Sequence, residues 1–197
     1  MISEKQFAES ARMLNVEVAA IKAVAEVESN GSGLLADGRP KILFEPHIFW
    51  KQLRQKGIDP NLFMEENEDI LYPKWKSGAY GPVSKQHDRL ERAAKINREA
   101  ALLSASWGRF QVMGFNWQRC GMASLQDFIN AIYKDEDAHL QLFTNYIRIS
   151  HLDDELRGHD WAAFALSYNG PLYRRNRYDV KLKNAYLKYK GVSQPSS

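Results

Sequence analysis

The chain has 197 residues, 44% hydrophobic and 26% charged, with a net charge of +3. That length suits one domain with a sizeable core, and the composition excludes disordered and fibrous classes. A lone cysteine, Cys120, excludes an internal disulfide and a cysteine-rich zinc site, and no stretch reaches the ~18 apolar residues of a membrane span. The five histidines are scattered without a His-Glu-x-x-His spacing, so no metal or cofactor is expected.

In chain order, Ser3 with Gln6 predicts a helix start, and Phe7, Ala11 and Leu14 follow at helical spacing. A second helix is expected over about 16–29, closed by the Asn30-Gly31 C-cap signal. GSGLLADGRPKILFE, 31–45, reads as a short β-hairpin turning at Asp37-Gly38 and returning along 40–44. Pro46 fits the first position of a helix that stops before Gly57. Residues 58–83 read as a long surface loop with room for one short helix.

Ser84 is expected to cap a long helix with Leu90, Ala93, Ala94, Asn97 and Ala101 inward. ASWGRFQVMGFNW, 105–117, is apolar on nearly all sides, which predicts a buried central helix. Ser124 with Asp127 caps another helix, and 135–149 forms a further one with Ala138, Leu142 and Tyr146. Asp160 caps the stretch WAAFALSYNG, which Gly170-Pro171 ends. A last basic amphipathic helix carries Val180, Ala185, Tyr186 and Tyr189, ahead of a tail, 192–197, expected to be disordered. The predicted fold is mainly α (α+β): one domain over 1–191, with a small β-hairpin after the second helix.

Charge is uneven. Between Pro171 and Lys190, Arg174, Arg175, Arg177, Lys181, Lys183, Lys188 and Lys190 face Asp179 alone. Such a block suits an anionic partner or a solvated helix face.

The end of the second helix, IKAVAEVESNG, places two glutamates two residues apart, so they cannot share a face. At about 100° per residue, Glu28 falls about 20° from Ile21 and Glu26 about 140° from it. Glu28 thus continues the apolar stripe, while Glu26 faces solvent. A poorly solvated carboxyl has a raised pKa, which suits a general acid; it could equally bond the following loop. A glycosidase would add a second carboxylate. Asp37 sits at the hairpin tip and is better explained by the turn. Glu45 lies where the hairpin returns towards Glu28, and is the better partner by that geometry. Its alternative is a residue at a helix N-terminus.

Three motifs, EVESNGSG at 26–33, ASWGRFQVMGFNW at 105–117 and YNGP at 168–171, occur in an order and spacing that resembles the lysozyme-like superfamily. That superfamily includes goose-type lysozymes and soluble lytic transglycosylases. AVAEVESNGSGLLADGRPKILFEPHIF, SASWGRFQVMGFN and WAAFALSYNGPLY more closely resemble the N-acetylmuramidase domain of phage endolysins, over about residues 10–190. The resemblance implies a lysozyme-like helical domain that cleaves the β-1,4 bond between N-acetylmuramic acid and N-acetylglucosamine in peptidoglycan. It implies that Glu28 is the catalytic glutamate, and that Ser29, Ser106, Gln111, Tyr168 and Asn169 belong to the substrate site. Gly108 matches the central motif. Pro171 departs from the transglycosylase pattern.

The expected partner is the peptidoglycan glycan strand, bound by a monomer, with the basic C-terminal helix touching an anionic envelope. No nucleic acid is expected, because the basic block is short and confined to one end. A lytic transglycosylase making 1,6-anhydro products and a non-catalytic glycan-binding module are the alternatives. Trp107 and Trp117 read as core, and Tyr168 and Tyr173 as candidate stacking surfaces for sugars. The acidic residues near the N-terminus do not form a signal peptide, so synthesis in a host cytoplasm and release through the inner membrane by a separate factor are expected.

Overall fold

The computed structural model describes residues 1–29, 31–76 and 78–191. Asn30, half of the expected C-cap signal, and the expected disordered tail lie outside the described residues.

Helix α1 (Glu4–Leu14) starts as the sequence predicts: the Ser3 side chain accepts from the Gln6 N–H. Helix α2 (Val18–Val27) is the central element, with Ala20, Ile21, Ala23, Val24 and Ala25 buried. Its alanines allow close approach of neighbours, and it packs most extensively against α9 (Tyr178–Lys190). Pro46 opens α3 (Pro46–Gln55), and Gly57 follows its end.

The sheet differs from expectation in both partners. Segment 31–45 does turn at Asp37-Gly38, where Leu35 N–H donates to Arg39 O at 2.7 Å and Asp37 bonds Arg39. Its two arms, however, meet only in one bridge, Leu34 to Pro40. Strand β1 (Ile42–Phe44) pairs instead with β2 (Ala105–Trp107), which pairs with β3 (Val112–Met113), all antiparallel. The expected central helix over 105–117 is therefore the middle of a sheet. An all-round apolar run is as natural for a strand buried on both faces as for a buried helix. Gly108 at φ +68° makes the tight turn that a helix would not contain. Residues Gly114–Asn116 follow as a 3-10 turn. Trp107 is core, as expected, and its Nε1 donates to Leu102 O at 3.1 Å. Trp117 packs half-buried against the core.

Ser84 does not cap a helix. It lies in a 3-10 turn (Val83–Lys85), and α4 (Gln86–Leu103) begins after Lys85 without a side-chain cap. Gln86 is buried there because its Oε1 accepts from Phe44 N at 3.0 Å, fastening α4 to β1. Asn97 breaks α4 with φ −156° and ψ 109°, and its Oδ1 accepts from Ala100 N at 2.9 Å. It is an N-cap inside what looks like one helix. Asn97→Ala should therefore lower stability by about 1 kcal/mol, read as a lower urea midpoint with an unchanged slope.

The described part of the loop over 58–83 holds a 3-10 turn (Pro60–Phe63), but it is more than surface: Ile70 and Leu71 are fully buried. Arg92 holds it through Asp69 at 2.8 Å. Ser124 and Asp135 cap α5 (Leu125–Lys134) and α6 (Glu136–Ile149), and Asp160 caps α8 (Trp161–Asn169). A short α7 (Asp153–Arg157) was not anticipated. On α9 the buried residues are Leu182, Ala185 and Tyr186; Val180 and Tyr189 point outward, contrary to expectation. Among the described residues no helix is long and apolar enough to cross a membrane.

Candidate active site

Glu28 is the residue at which α2 ends. Its N–H still donates to Val24 O at 2.9 Å, but the helix goes no further. The helical wheel separates the two glutamates correctly. Glu26 is exposed and accepts from Lys188 Nζ at 2.7 Å and Tyr189 OH at 2.6 Å. Glu28 turns into a cavity of about 410 Å³, whose walls include Gln111 from the turn between β2 and β3, Met113 from β3, Tyr168 and Asn169 from α8, and Tyr178 from α9.

The carboxyl of Glu28 is pushed up from 4.5 to about 7. Burial is the main cause, opposed by a hydrogen bond from Asn169 and by the positive charge of Lys181. Asn169 Nδ2 donates to Glu28 Oε1 at 2.9 Å, which leaves Oε2 as the natural seat of the proton. Asn169 is the last residue of α8, so the end of one helix is aimed at the end of another.

Tyr168 supports this arrangement from behind. Its hydroxyl donates to Phe110 O at 2.9 Å, tying α8 to the turn between β2 and β3. Its ring stacks on Phe164 and meets Phe143 edge-on at 5.4 Å. The same turn presents Gln111 at φ +49°, a left-handed conformation uncommon for a residue with a side chain. The Gln111 amide holds it: Nε2 donates to Gly108 O at 2.8 Å, and Oε1 accepts from Ser106 Oγ at 2.9 Å. Ser106 is buried, so it positions Gln111 rather than facing the cavity.

Besides Ser106, two further predicted site residues are not brought to this cavity. Ser29 donates its hydroxyl back to Ala25 O and lines a neighbouring depression. Glu45 stands before Pro46 at the start of α3, where Oε2 accepts from Tyr80 OH at 2.6 Å and lies 3.4 Å from His47 Nδ1. The reason is the sheet. Strand β1 does not return alongside the chain after Glu28, and it lies two strand spacings, about 10 Å, across from β3. No second carboxylate is among the residues lining the Glu28 cavity. Asp37 is an exposed turn residue paired with Arg39 at 2.8 Å. Tyr173 is buried, without a place in the cavity wall.

Sequence reasoning missed what clamps the two sides together. Glu136 on α6 is nearly fully buried, and accepts from Gly33 N at 2.6 Å and Arg109 Nη1 at 3.2 Å; the Met1 amino group lies 3.1 Å away. Gly33 follows α2 and Arg109 follows Gly108, so one carboxylate joins the chain beyond Glu28 to the Gln111 turn. A Cβ on Gly33 would lie 2.5 Å from Arg109 N, so only glycine permits this approach. Burial works to raise the Glu136 pKa, but the Gly33 bond, the amino group and Arg109 together hold it at about 2. His139 completes the support: Nδ1 accepts from Arg109 N at 3.2 Å and Nε2 donates to Ile132 O at 2.6 Å, so the ring is neutral and structural. Tyr178 was also missed, because the amphipathic reading of α9 rested on Val180, Ala185, Tyr186 and Tyr189 and on its basic block. For Glu136 the sequence offered no more than an acidic start to α6.

The family model for N-acetylmuramidase matches residues 17–190. The fold is similar to the crystal structure of the Burkholderia AP3 phage endolysin, with a TM-score of 0.89 and 36% identity. That match covers 96% of this chain and 72% of the endolysin chain. No curated protein matches the chain significantly.

Proposed function

The chain belongs to the N-acetylmuramidase family, glycoside hydrolases that act on peptidoglycan, and on that premise we propose that Glu28 is its general acid. The observation that carries this reading is a largely buried carboxyl, raised to about 7, on the wall of the cavity where the matched motifs meet. Oε2 gives its proton to the glycosidic oxygen as the C–O bond breaks, and the muramic acid becomes oxocarbenium-like. Water adds to the anomeric carbon, and its proton returns to Glu28. Gln111, Asn169 and Tyr178 line the space the sugar would fill, and Tyr168 positions the first two. Glu45 takes no step in this reading, since Tyr80 and His47 occupy its carboxylate away from the cavity.

One observation favours a second reading. With Glu28 as the sole carboxyl among the cavity-lining residues, the muramic acid 6-hydroxyl could attack instead of water, passing its proton to Glu28. The product would then be a 1,6-anhydro ring, lighter by one water. Digestion of purified peptidoglycan followed by mass spectrometry separates the routes: hydrolysis gives reducing-end muramic acid.

The pH dependence follows from the same group. Glu28 must be protonated, so kcat/KM should fall about tenfold per unit above pH 7, with an apparent pKa near 7 in the free enzyme. A descending limb near pH 5 would contradict it.

The biological setting we infer is that of a phage endolysin: a monomer made in the host cytoplasm and reaching peptidoglycan through a membrane lesion made by another factor. The likeness to the AP3 endolysin supports it. Contact between the basic end and an anionic envelope rests on Arg174, Arg175 and Arg177, which are exposed. Lys188 and Lys190 contribute less, being paired with Glu26 and Glu17.

A further inference from the structure

Beside the Glu28 cavity lies a second depression of about 450 Å³, whose lining includes Ser29, Lys181, Asn184 and Lys188. Val27 lines both, so the two hollows adjoin along one rim. The two lysines are not equivalent. Lys188 is engaged by Glu26 at 2.7 Å. Lys181 is exposed, sits 5.4 Å from the centre of the Tyr178 ring, and makes no ion pair among the described residues. It is near enough for its charge to act on Glu28. Asn184, three residues on, lies on the same face and brings an amide that both donates and accepts.

Muramic acid differs from its neighbour sugar by a lactyl ether, which carries a short peptide in peptidoglycan. With muramic acid in the Glu28 cavity, that peptide must leave over a rim. It carries amides and free carboxylates, the groups that an amide and an unpaired ammonium recognise.

We propose that the depression is a subsite for this peptide, with Lys181 binding one of its carboxylates and Asn184 and Ser29 flanking it. The inference rests on the peptidoglycan reading above and adds a specificity to it: peptide-bearing glycan is cut in preference to bare glycan. An anionic lipid surface is the competing occupant. The depression adjoins the catalytic cavity along Val27, whereas the exposed arginines suited to a flat surface lie on the stretch 174–177.

The test compares kcat/KM on purified peptidoglycan glycan with and without its peptides, the latter prepared with an amidase. Wild type should favour the peptide-bearing substrate. Lys181→Met should reduce that preference about fivefold, mainly through KM, and Lys181→Arg should keep most of it. Lys183→Met, on the exposed side of the same helix, should leave the preference unchanged. An unchanged preference in Lys181→Met would overturn the proposal, as would a wild type indifferent to the peptides. So would loss of binding to anionic vesicles in Lys181→Met with the preference intact. If wild type cut neither substrate, the muramidase reading itself would fall, a result distinct from failure of the subsite alone.

Discussion

Glu28→Gln is expected to lower the release of fragments from peptidoglycan by about 10²–10⁴-fold, because proton donation to the leaving oxygen is lost while shape is kept. Gln fills the same space, and Asn169 can turn its amide to present an oxygen. KM should change little. The variant should also be the more stable protein, by an amount that depends on pH. The Glu28 pKa is raised in the folded state, from 4.5 to about 7. The folded protein therefore holds the proton more tightly between those values, and loses stability as pH rises through them. At pH 8 Glu28→Gln should exceed wild type by roughly 2–3 kcal/mol, and the gap should close by pH 4. Equal melting temperatures at pH 8 would mean that the carboxyl is well solvated. Stability given up at a catalytic group is a common cost of function.

The second large effect is expected at Glu136, far from the reacting bond. Glu136→Gln should cost about 3 kcal/mol, because the partly buried Arg109 loses its partner and Gly33 N–H a charged acceptor. Arg109 Nε already lacks an acceptor, so the guanidinium has little else to turn to. The sign with pH is opposite to that at Glu28. The Glu136 pKa is depressed to about 2, so its stabilisation is complete above 4.5 and is lost as pH falls through 2. Urea midpoints of wild type and variant should differ most above pH 5 and converge in strong acid. Activity should fall as well, since the clamp holds the Gln111 turn against the chain beyond Glu28. A variant with wild-type stability at pH 7 would show that the clamp is unimportant.

The helices whose ends carry their own chemistry were legible in the sequence. Ser3, Ser124 and Asp160 each accept the backbone N–H that their caps require, and Pro46 and Gly57 bracket α3. The sheet was not. A hairpin can be read from neighbouring residues, but strand 42–44 pairs with 105–107, and no local signal reports a partner so distant in the chain. The misread run at 105–117 has the same root, since burial on all sides erases the periodicity that separates strand from helix.

The site divides similarly. Glu28 was accessible by periodicity alone, and Gln111, Tyr168 and Asn169 by motif; the structure brings those four to one cavity. The case for Glu45 depends on the hairpin returning to Glu28, and the pairing of strand 42–44 with 105–107 removes that premise. Ser106 and Ser29 lie just behind and just beside the cavity. The clamp made by Glu136 and the place of Lys181 beside the cavity were illegible, because both depend on which elements meet.

The surroundings of Glu28 hold its carboxyl protonated to about pH 7. A ¹³C NMR titration of the side-chain carboxyls, with the Glu28 signal assigned by its absence in Glu28→Gln, measures this directly. The expected midpoint is near pH 7. A midpoint near 4.5, the ordinary value for a glutamate, would contradict the assignment of Glu28 as a buried acid.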